Sequence, residues 1–255
     1  MKKILTIAVN SFRENIRDRI LYNLLVFALL MIVLTIALVQ LSTGEWERIT
    51  IDVGLSSISI FGSLMAIFLG ISLVSKEIER RTIYTLLSKP ISRSSFLLGK
   101  YLGLVITIMV NITIMVIVYV VILYYLGGHF SWAQAQAIIL ICLSLMIVVA
   151  IALFFSTFST PTLSAIFTLS LFVIGHLTSD IRNFSARSGK PLVEYFGKAV
   201  YYLLPNLSNY NIVDNATYAQ ALVPKTFAIT ILAGILTAAI ILILASLILE
   251  KRDFI

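Results

Sequence analysis

Charge is scarce in this sequence. Only 12% of its 255 residues are Asp, Glu, Lys or Arg, whereas a soluble globular domain carries about 25%. The mean hydropathy is +1.03, and a soluble core of this size could not bury so much apolar surface. The composition therefore excludes an ordinary soluble domain and predicts a membrane protein.

Residues that carry chemistry are also scarce. The single cysteine, Cys142, lies inside an apolar run, which excludes a disulfide framework and a thiolate metal site. His129 and His176 have no acidic or cysteine neighbours at ligand spacing. The sequence contains no G-x-x-x-x-G-K-[ST], H-E-x-x-H or G-x-S-x-G motif. We predict no catalytic residue, no metal site and no cofactor bound by this chain, and a membrane-embedded enzyme is disfavoured.

Six segments lack charge and are long enough to cross a membrane, which takes about 20 apolar residues. Backbone polar groups in lipid must be satisfied within their own element, so we expect helices. The shortest is the fifth. The predicted spans lie near Leu21–Leu41, Val53–Ser75, Tyr101–Leu126, Ala135–Phe158, Thr162–Thr178 and Thr226–Leu249.

The distribution of basic residues predicts the orientation. With six spans, both termini and the loop at 76–100 share one side, which holds 13 of the 19 Lys and Arg residues. Basic residues accumulate on the cytoplasmic side of membrane proteins, so both termini are expected in the cytoplasm. Topology therefore accounts for the net charge of +7, and a nucleic-acid partner is not predicted.

Two segments outside the spans have helical amphipathicity. Residues 1–20 predict a helix in the cytoplasmic interface, or one that merely anchors the first span. In the outer loop 179–225, apolar residues at helical spacing predict a helix at Leu192–Leu204 on or in the outer leaflet; the alternative is a small cap with no transport role. The N-terminal apolar positions are Leu5, Ala8, Val9, Phe12 and Ile16.

The spans contain few polar landmarks. Small residues form a stripe in the second span, which favours either close helix packing or a face that lines a pathway. Asn111 is interpreted as an interhelical hydrogen-bonding residue rather than a substrate ligand. The stripe comprises Ser59, Gly62, Ser63, Ala66 and Gly70.

No span contains an ionisable acidic or basic group of the kind that couples substrate movement to protons or ions. If the chain transports a substrate, another subunit must supply the energy. The loop at 76–100 is the candidate contact. Ile78, Ile83, Leu86 and Leu87 form an apolar stripe, and Glu77 and Arg81 can pair across one helical turn.

Proline ends this short helix at Lys89-Pro90, and Ser92 is a suitable N-cap for the helix that follows. The alternative is an ordinary loop whose basic residues only determine topology.

The run E-R-R-T-I-Y-T-L-L-S-K-P-I-S-R-S-S-F-L-L-G-K at residues 79–100 resembles the coupling region of permeases of ABC transporters of the second class (ABC type 2). Within that class, the run resembles the branch that includes the permease for nitrous-oxide-reductase maturation. The resemblance covers nearly the whole chain. It includes S-T-F-S-T-P at 156–161 and L-P-N-L-S-N-Y-N at 204–211.

The resemblance implies an all-α polytopic fold with six transmembrane helices, an interfacial helix, a cytoplasmic coupling helix and an outer amphipathic helix. It implies a permease subunit, expected to export, in a prokaryotic plasma membrane. Two permease chains would pair, and each would dock on a separate cytoplasmic ATPase that binds ATP and Mg. The predicted coupling residues are Glu77, Glu79, Arg80, Arg81, Thr82, Ile83, Leu86, Leu87, Pro90 and Arg93.

A second hypothesis is a membrane scaffold that couples an ATPase to an extracytoplasmic partner through the loop at 179–225 and transports nothing. In either case the whole chain, residues 1–255, forms one transmembrane domain in contact with membrane lipid.

Overall fold

A computed structural model describes residues 2–40, 44–79, 92–187 and 190–251. Over these ranges the chain is helical, without a strand, and the predicted all-α class is confirmed. The elements are α1 (Lys2–Asn15), α2 (Arg19–Gln40), α3 (Trp46–Glu79), α4 (Arg93–Tyr125), α5 (Trp132–Ser156), α6 (Pro161–Arg187), α7 (Pro191–Leu203), a 3₁₀ turn (Leu207–Tyr210), α8 (Val213–Thr217) and α9 (Pro224–Lys251).

Six of these helices, α2, α3, α4, α5, α6 and α9, are long and apolar enough to cross a membrane. Their number and order confirm the six predicted spans. The helices extend beyond the apolar runs that predict them. Thus α3 begins at Trp46 rather than near Val53, and α6 continues to Arg187 rather than ending near Thr178. The added turns carry charge, so hydropathy alone does not detect them, although their backbone stays helical.

The centre of the bundle is α5, which packs against α3, α4, α6 and α9. The most apolar stretches of α3 and α5 are 67% buried, against 22% for those of α2, α6 and α9. Small residues allow α3 to approach its neighbours. A Cβ on Gly70 would lie 2.6 Å from Ala152 Cβ of α5, so this contact needs glycine.

The chain after α7 folds back into the bundle, which the sequence analysis did not predict. Leu207 of the 3₁₀ turn and Ala216 of α8 are fully buried, and they pack with α3, α5 and α6. Gln136 of α5 forms hydrogen bonds to the segment between α8 and α9. Its Oε1 accepts from the Leu222 amide at 2.8 Å, and its Nε2 donates to the Leu222 carbonyl at 3.1 Å. Part of the outer loop is therefore core.

The predicted outer amphipathic helix is present as α7, with bounds one residue earlier than expected. It packs on the last turns of α6, where Gly197 lies against Ser185. The other face, which includes Leu192, Tyr195 and Phe196, is at least 66% exposed at each residue. Large apolar side chains thus remain uncovered by the described part of the chain.

Candidate functional site

One end of the bundle gathers the chain segments that flank the predicted coupling loop. We call it the basal end, defined by α1, the first four turns of α4, and the last turns of α5 and α9. Ser92 is the residue immediately before α4. Its side chain caps α4 by accepting a hydrogen bond from the Ser95 amide at 3.3 Å. The predicted N-cap is therefore confirmed, and α4 begins at Arg93, within the predicted loop at 76–100.

Arg93 joins the first turn of α4 to the last turn of α9. Its Nη1 donates to the carbonyl of Leu249 at 2.8 Å and to that of Glu250 at 3.0 Å. The final carbonyls of a helix have no partner within the helix, and they carry its negative dipole end, so a guanidinium is a favourable cap. Arg93 thus connects two spans from within the predicted loop at 76–100.

A small apolar cluster supports this link. It lies apart from the main core and consists of the buried residues Leu97, Ala245 and Leu249 with half-buried Phe96 and Phe154. Phe154 belongs to the last turn of α5, next to the S-T-F-S-T-P turn. Three spans therefore meet at the base in one packed cluster, and a displacement of the start of α4 is resisted by α9 and α5 together.

The helix α1 packs along α4 through small residues. A Cβ on Gly103 would lie 2.6 Å from Ser11 Cβ and 2.7 Å from the Ala8 carbonyl. One turn earlier, a Cβ on Gly99 would lie 2.7 Å from Ile7 Cβ. Contacts advance along both helices together, so α1 and α4 run in the same direction, with backbones close as small-residue helix interfaces allow.

Polar contacts complete the α1–α4 interface. The side chain of Lys100 is only 3% exposed, and its Nζ lies 3.7 Å from Glu14 Oε2 of α1. Asn15 Nδ2 donates to Thr107 Oγ1 at 3.4 Å in a buried contact. A buried ammonium needs compensation by charge or hydrogen bonds. These contacts therefore define the register of α1 on α4.

The structure describes only some of the predicted coupling residues. Arg80, Arg81, Thr82, Ile83, Leu86, Leu87 and Pro90 lie outside the described residues. Glu77 and Glu79 belong to the last turns of α3. Arg93 is the member whose side-chain contacts are described, and those contacts are with α9. The coupling assignment of the set stays a prediction.

The two glycines of the small-residue stripe, Gly62 and Gly70, lie against other helices. A Cβ on Gly62 would lie 2.9 Å from both Ile112 of α4 and Leu145 of α5, and Ser63 Oγ donates to the Ser59 carbonyl at 2.7 Å. Ala66 is fully buried. In this structure, the stripe on α3 therefore makes helix contacts.

Asn111 is buried on α4, and its Nδ2 donates to the Thr107 carbonyl of the same helix at 2.8 Å. The hydrogen bond that the structure describes for this amide is therefore within α4, whereas the sequence predicted one between helices.

Sequence reasoning missed Lys100, Asn15 and Thr107 as contact residues. Lys100 was counted only as a loop charge, although its position seven residues into α4 already places it on a helix. The G-x-x-x-G spacing of Gly99 and Gly103 was a usable signal of a close helix contact. The identity of the partner helix was not readable from that spacing.

The opposite end of the bundle holds a polar cluster. Thr178 Oγ1 donates to Asn206 Oδ1 at 2.7 Å, as does Ser208 Oγ at 2.7 Å, and Ser179 Oγ pairs with Ser208 Oγ. Nearby, the Arg182 guanidinium lies 4.4 Å from the Tyr201 ring centroid. These contacts attach the L-P-N-L-S-N-Y-N segment and α7 to α6.

Two further groups at that end have raised pKa values. The hydrogen bond from Lys198 to Glu194 raises the pKa of Lys198, and burial raises the pKa of Tyr210. Among the described residues, no group of three His, Cys, Asp or Glu side chains could hold a metal ion. The contacts at this end pack the 204–211 segment and α7 on α6.

Comparison with known proteins gives one family. The family model described as ABC-2 family transporter protein matches residues 5–254, which is nearly the whole chain. No curated protein matches the sequence.

Proposed function

Since the chain belongs to the ABC-2 transporter family, we propose that it is the permease subunit of an ATP-driven exporter. The ATPase is a separate cytoplasmic subunit that docks against the segment between α3 and α4. This chain binds no nucleotide itself; ATP and Mg belong to that partner.

The observation that carries the proposal is the link from Arg93 to α9. The segment between α3 and α4, which contains most of the predicted coupling residues, leads directly into Ser92 and Arg93. There the chain is fastened by two hydrogen bonds to the end of α9 and by the cluster around Leu97. A push on this segment would therefore reach α4 and α9 together, and α5 through Phe154. Such a joint suits a subunit that is moved by a partner.

Within this proposal, the apolar stripe of Ile83, Leu86 and Leu87 enters a groove of the ATPase, and the neighbouring charges set its orientation. ATPase closure tilts α4 and α9 and opens the path outward. Both termini lie in the cytoplasm, as the excess of basic residues at that side supports. A second permease chain completes the transporter in the plasma membrane of a prokaryote.

The run at residues 79–100 further supports membership of the branch that includes the permease for nitrous-oxide-reductase maturation. This finer assignment rests on the resemblance of that run.

The test is an acidic substitution in the apolar stripe. Leu86→Asp and Leu87→Asp place a charge where a docked helix would be desolvated, and each such change at an interface costs several kcal/mol. We expect normal membrane insertion, at least tenfold less ATPase recovered with the tagged permease, and no stimulation of ATP hydrolysis. The measurements are co-purification and ATPase rate after expression with the ATPase of the same operon.

The matched control is Leu192→Asp, the same substitution on the exposed face of α7. It should leave co-purification unchanged, because α7 lies at the other end of the bundle. Normal ATPase recovery and transport with both Leu86→Asp and Leu87→Asp would overturn the proposed coupling.

A scaffold that transports nothing is the second candidate, and the uncovered face of α7 favours it. Leu192, Tyr195, Phe196 and Tyr202 are each exposed by 66% or more, and aromatic residues are enriched where proteins bind one another.

Deleting the whole loop would not test the scaffold, because Leu207 and Ala216 are core. The better variant is Tyr195→Ser with Phe196→Ser. Loss of an extracytoplasmic partner together with transport that needs no ATP hydrolysis would favour the scaffold over the permease.

A further inference from the structure

A groove with a volume of about 340 Å³ lies between the start of α4 and the end of α9. The two helices run in opposite directions, since Arg93 contacts Leu249 and Leu97 packs one turn further in with Ala245. At the basal end the groove is lined by the first turn of α4 and the last turn of α9. From there it follows α9 back toward the middle of that helix.

The sequence of α9 gives the depth of this groove in the bilayer. Residues 226–249 carry no charge and cover about 36 Å at about 1.5 Å per residue, slightly more than a hydrocarbon core of about 30 Å. Glu250 therefore lies at the headgroup level. Ala239, at the deep end of the groove, lies about 16 Å further in by the same rise. The groove thus follows one leaflet from its surface to about its centre.

Both walls of the groove change from polar to apolar in the same direction. On α4, Leu98 lies one turn deeper than Ser94. On α9, Ser246 lies one turn deeper than Glu250, and the lining residues beyond it, which begin at Ile243, are apolar. A phospholipid has the same order, with a charged headgroup at the surface, polar ester groups below it and acyl chains in the hydrocarbon core.

The described residues leave the groove open toward lipid. Leu98, Ile243 and Leu247 are 40%, 59% and 50% exposed, although they lie deeper than the headgroup level. A recess that stays empty loses dispersion contacts on one side. An acyl chain that follows the groove is therefore favoured over one that only passes across it.

Glu250 selects the headgroup. Its side chain is exposed at the mouth of the groove, and no ion pair is recorded for it among the described residues. Arg93 donates to the backbone carbonyls of Leu249 and Glu250. A primary ammonium can donate charge-assisted hydrogen bonds to a carboxylate, whereas a trimethylammonium has no N–H and an anionic headgroup has no cation. Phosphatidylethanolamine is therefore the complementary lipid.

We infer that the groove between α4 and α9 binds one molecule of phosphatidylethanolamine from the cytoplasmic leaflet. Its ammonium pairs with Glu250, and one acyl chain lies along Leu98, Ile243 and Ala239. The lipid thereby contacts both of the spans that Arg93 connects. The assignment to the cytoplasmic leaflet rests on the proposed function, whereas the groove and its polarity do not depend on it.

The test measures which lipids the purified full chain retains, by native mass spectrometry of the permease alone. The protein in detergent is incubated with an equimolar mixture of phosphatidylethanolamine, phosphatidylcholine and phosphatidylglycerol with identical acyl chains. We expect one retained lipid, with phosphatidylethanolamine preferred about threefold over each of the others, the size of one exposed ion pair. Glu250→Gln should abolish this preference.

The site itself is tested by filling its deep end. Ala239→Phe should reduce retention of the lipid about tenfold, a loss within the range that overpacking causes. The matched control is Ala233→Phe, at an exposed position of the same helix outside the groove, which should leave retention unchanged. In the Ala239→Phe background, Glu250→Gln should have no further effect, since the two changes act on one site. Circular dichroism and a monodisperse elution profile check that each variant is folded.

The inference would be overturned by an unmodified chain that retains no lipid, by equal retention of the three lipids, or by equal effects of Ala239→Phe and Ala233→Phe. It would also be overturned by an efficient disulfide between two chains carrying Ile243→Cys in a Cys142→Ser background, because a second copy would then cover the groove. If Ala239→Phe does not fold, the lipid preference of Glu250→Gln decides alone.

The retention assay needs neither nucleotide nor ATPase. Its failure would leave the proposed permease function intact, and the failure of the coupling test would leave lipid retention measurable.

Discussion

Arg93 Nη1 lies 2.8 Å from the carbonyl oxygen of Leu249 and donates a hydrogen bond to it, although 156 residues separate them in the chain. This contact makes the end of α9 part of the same joint as the start of α4. Under the proposed function, this joint determines how many spans move when the ATPase acts on the segment between α3 and α4.

The first prediction concerns this joint. Arg93→Gln removes the charged donor, and hydrogen bonds from charged groups contribute about 1.5–3 kcal/mol, less here because Arg93 is half-buried. We expect the ATPase to co-purify normally but to be stimulated about fivefold less. Arg93→Lys should give an intermediate rate, because an ammonium can still reach a carbonyl. If co-purification fell in parallel with stimulation, Arg93 would instead contact the ATPase itself.

The second prediction concerns the α1–α4 contact. Gly103→Val introduces atoms where Ser11 Cβ and the Ala8 carbonyl already lie, and overpacking of this kind costs about 1–3 kcal/mol. We expect α1 to detach. A cysteine reporter, Ser11→Cys in a Cys142→Ser background, measures this, because the fully buried position 11 should react with a maleimide only after Gly103→Val.

The control for that experiment is Ile106→Val on the exposed face of α4, which should leave the reporter protected. Rapid labelling of the reporter in the otherwise unchanged protein would show that α1 does not pack on α4 as described.

The third prediction concerns the two hydrogen bonds between the Gln136 side chain and the Leu222 backbone. Gln136→Leu keeps the volume but leaves the Leu222 amide and carbonyl without this partner, and an unsatisfied buried polar group costs about 1–3 kcal/mol. The melting temperature in detergent should fall by several degrees. Exposed Gln220→Leu should have little effect. Equal melting temperatures for the two variants would mean that the chain before α9 is not held by Gln136.

The fourth prediction tests orientation at the two ends of one helix. In a Cys142→Ser background, Glu250→Cys lies in the last turn of α9 and Gln220→Cys lies just before its start, and both positions are exposed. We expect a membrane-impermeant maleimide to label Gln220→Cys in intact cells and Glu250→Cys only after permeabilisation. The reverse pattern would place both termini outside and would remove the ATPase-docking assignment.

The sequence predicted those features that depend only on residues close together in the chain. The apolar run at Ala135–Phe158 predicted α5 because its length and lack of charge are local properties. Ser92 predicted the start of α4 because an N-cap depends on residues within one turn. The fifth span was predicted too short, since hydropathy detects the lipid-facing part of α6 but not the charged turns that follow Thr178.

The α1 helix illustrates the limit. Its amphipathic pattern predicts a helix whose apolar positions, Leu5, Ala8, Val9, Phe12 and Ile16, face the membrane. In the structure, Ala8 packs on α4 together with the polar residues Ser11 and Asn15, whereas Leu5 and Val9 stay exposed. The choice depends on Gly99 and Gly103, about 90 residues away in the chain. Small residues on two distant helices decide which faces approach, and neither helix reveals this alone.

The sequence by itself determined that the chain crosses a membrane six times, because a bilayer accepts only long uncharged helices whose backbone groups are satisfied internally. Only the tertiary structure decided which surfaces of those helices contact one another. It placed Arg93 on the end of α9, Lys100 beside Glu14, and Leu207 inside the bundle. Such contacts depend on the shape and charge of surfaces far apart in sequence, and they exist only once the helices are packed.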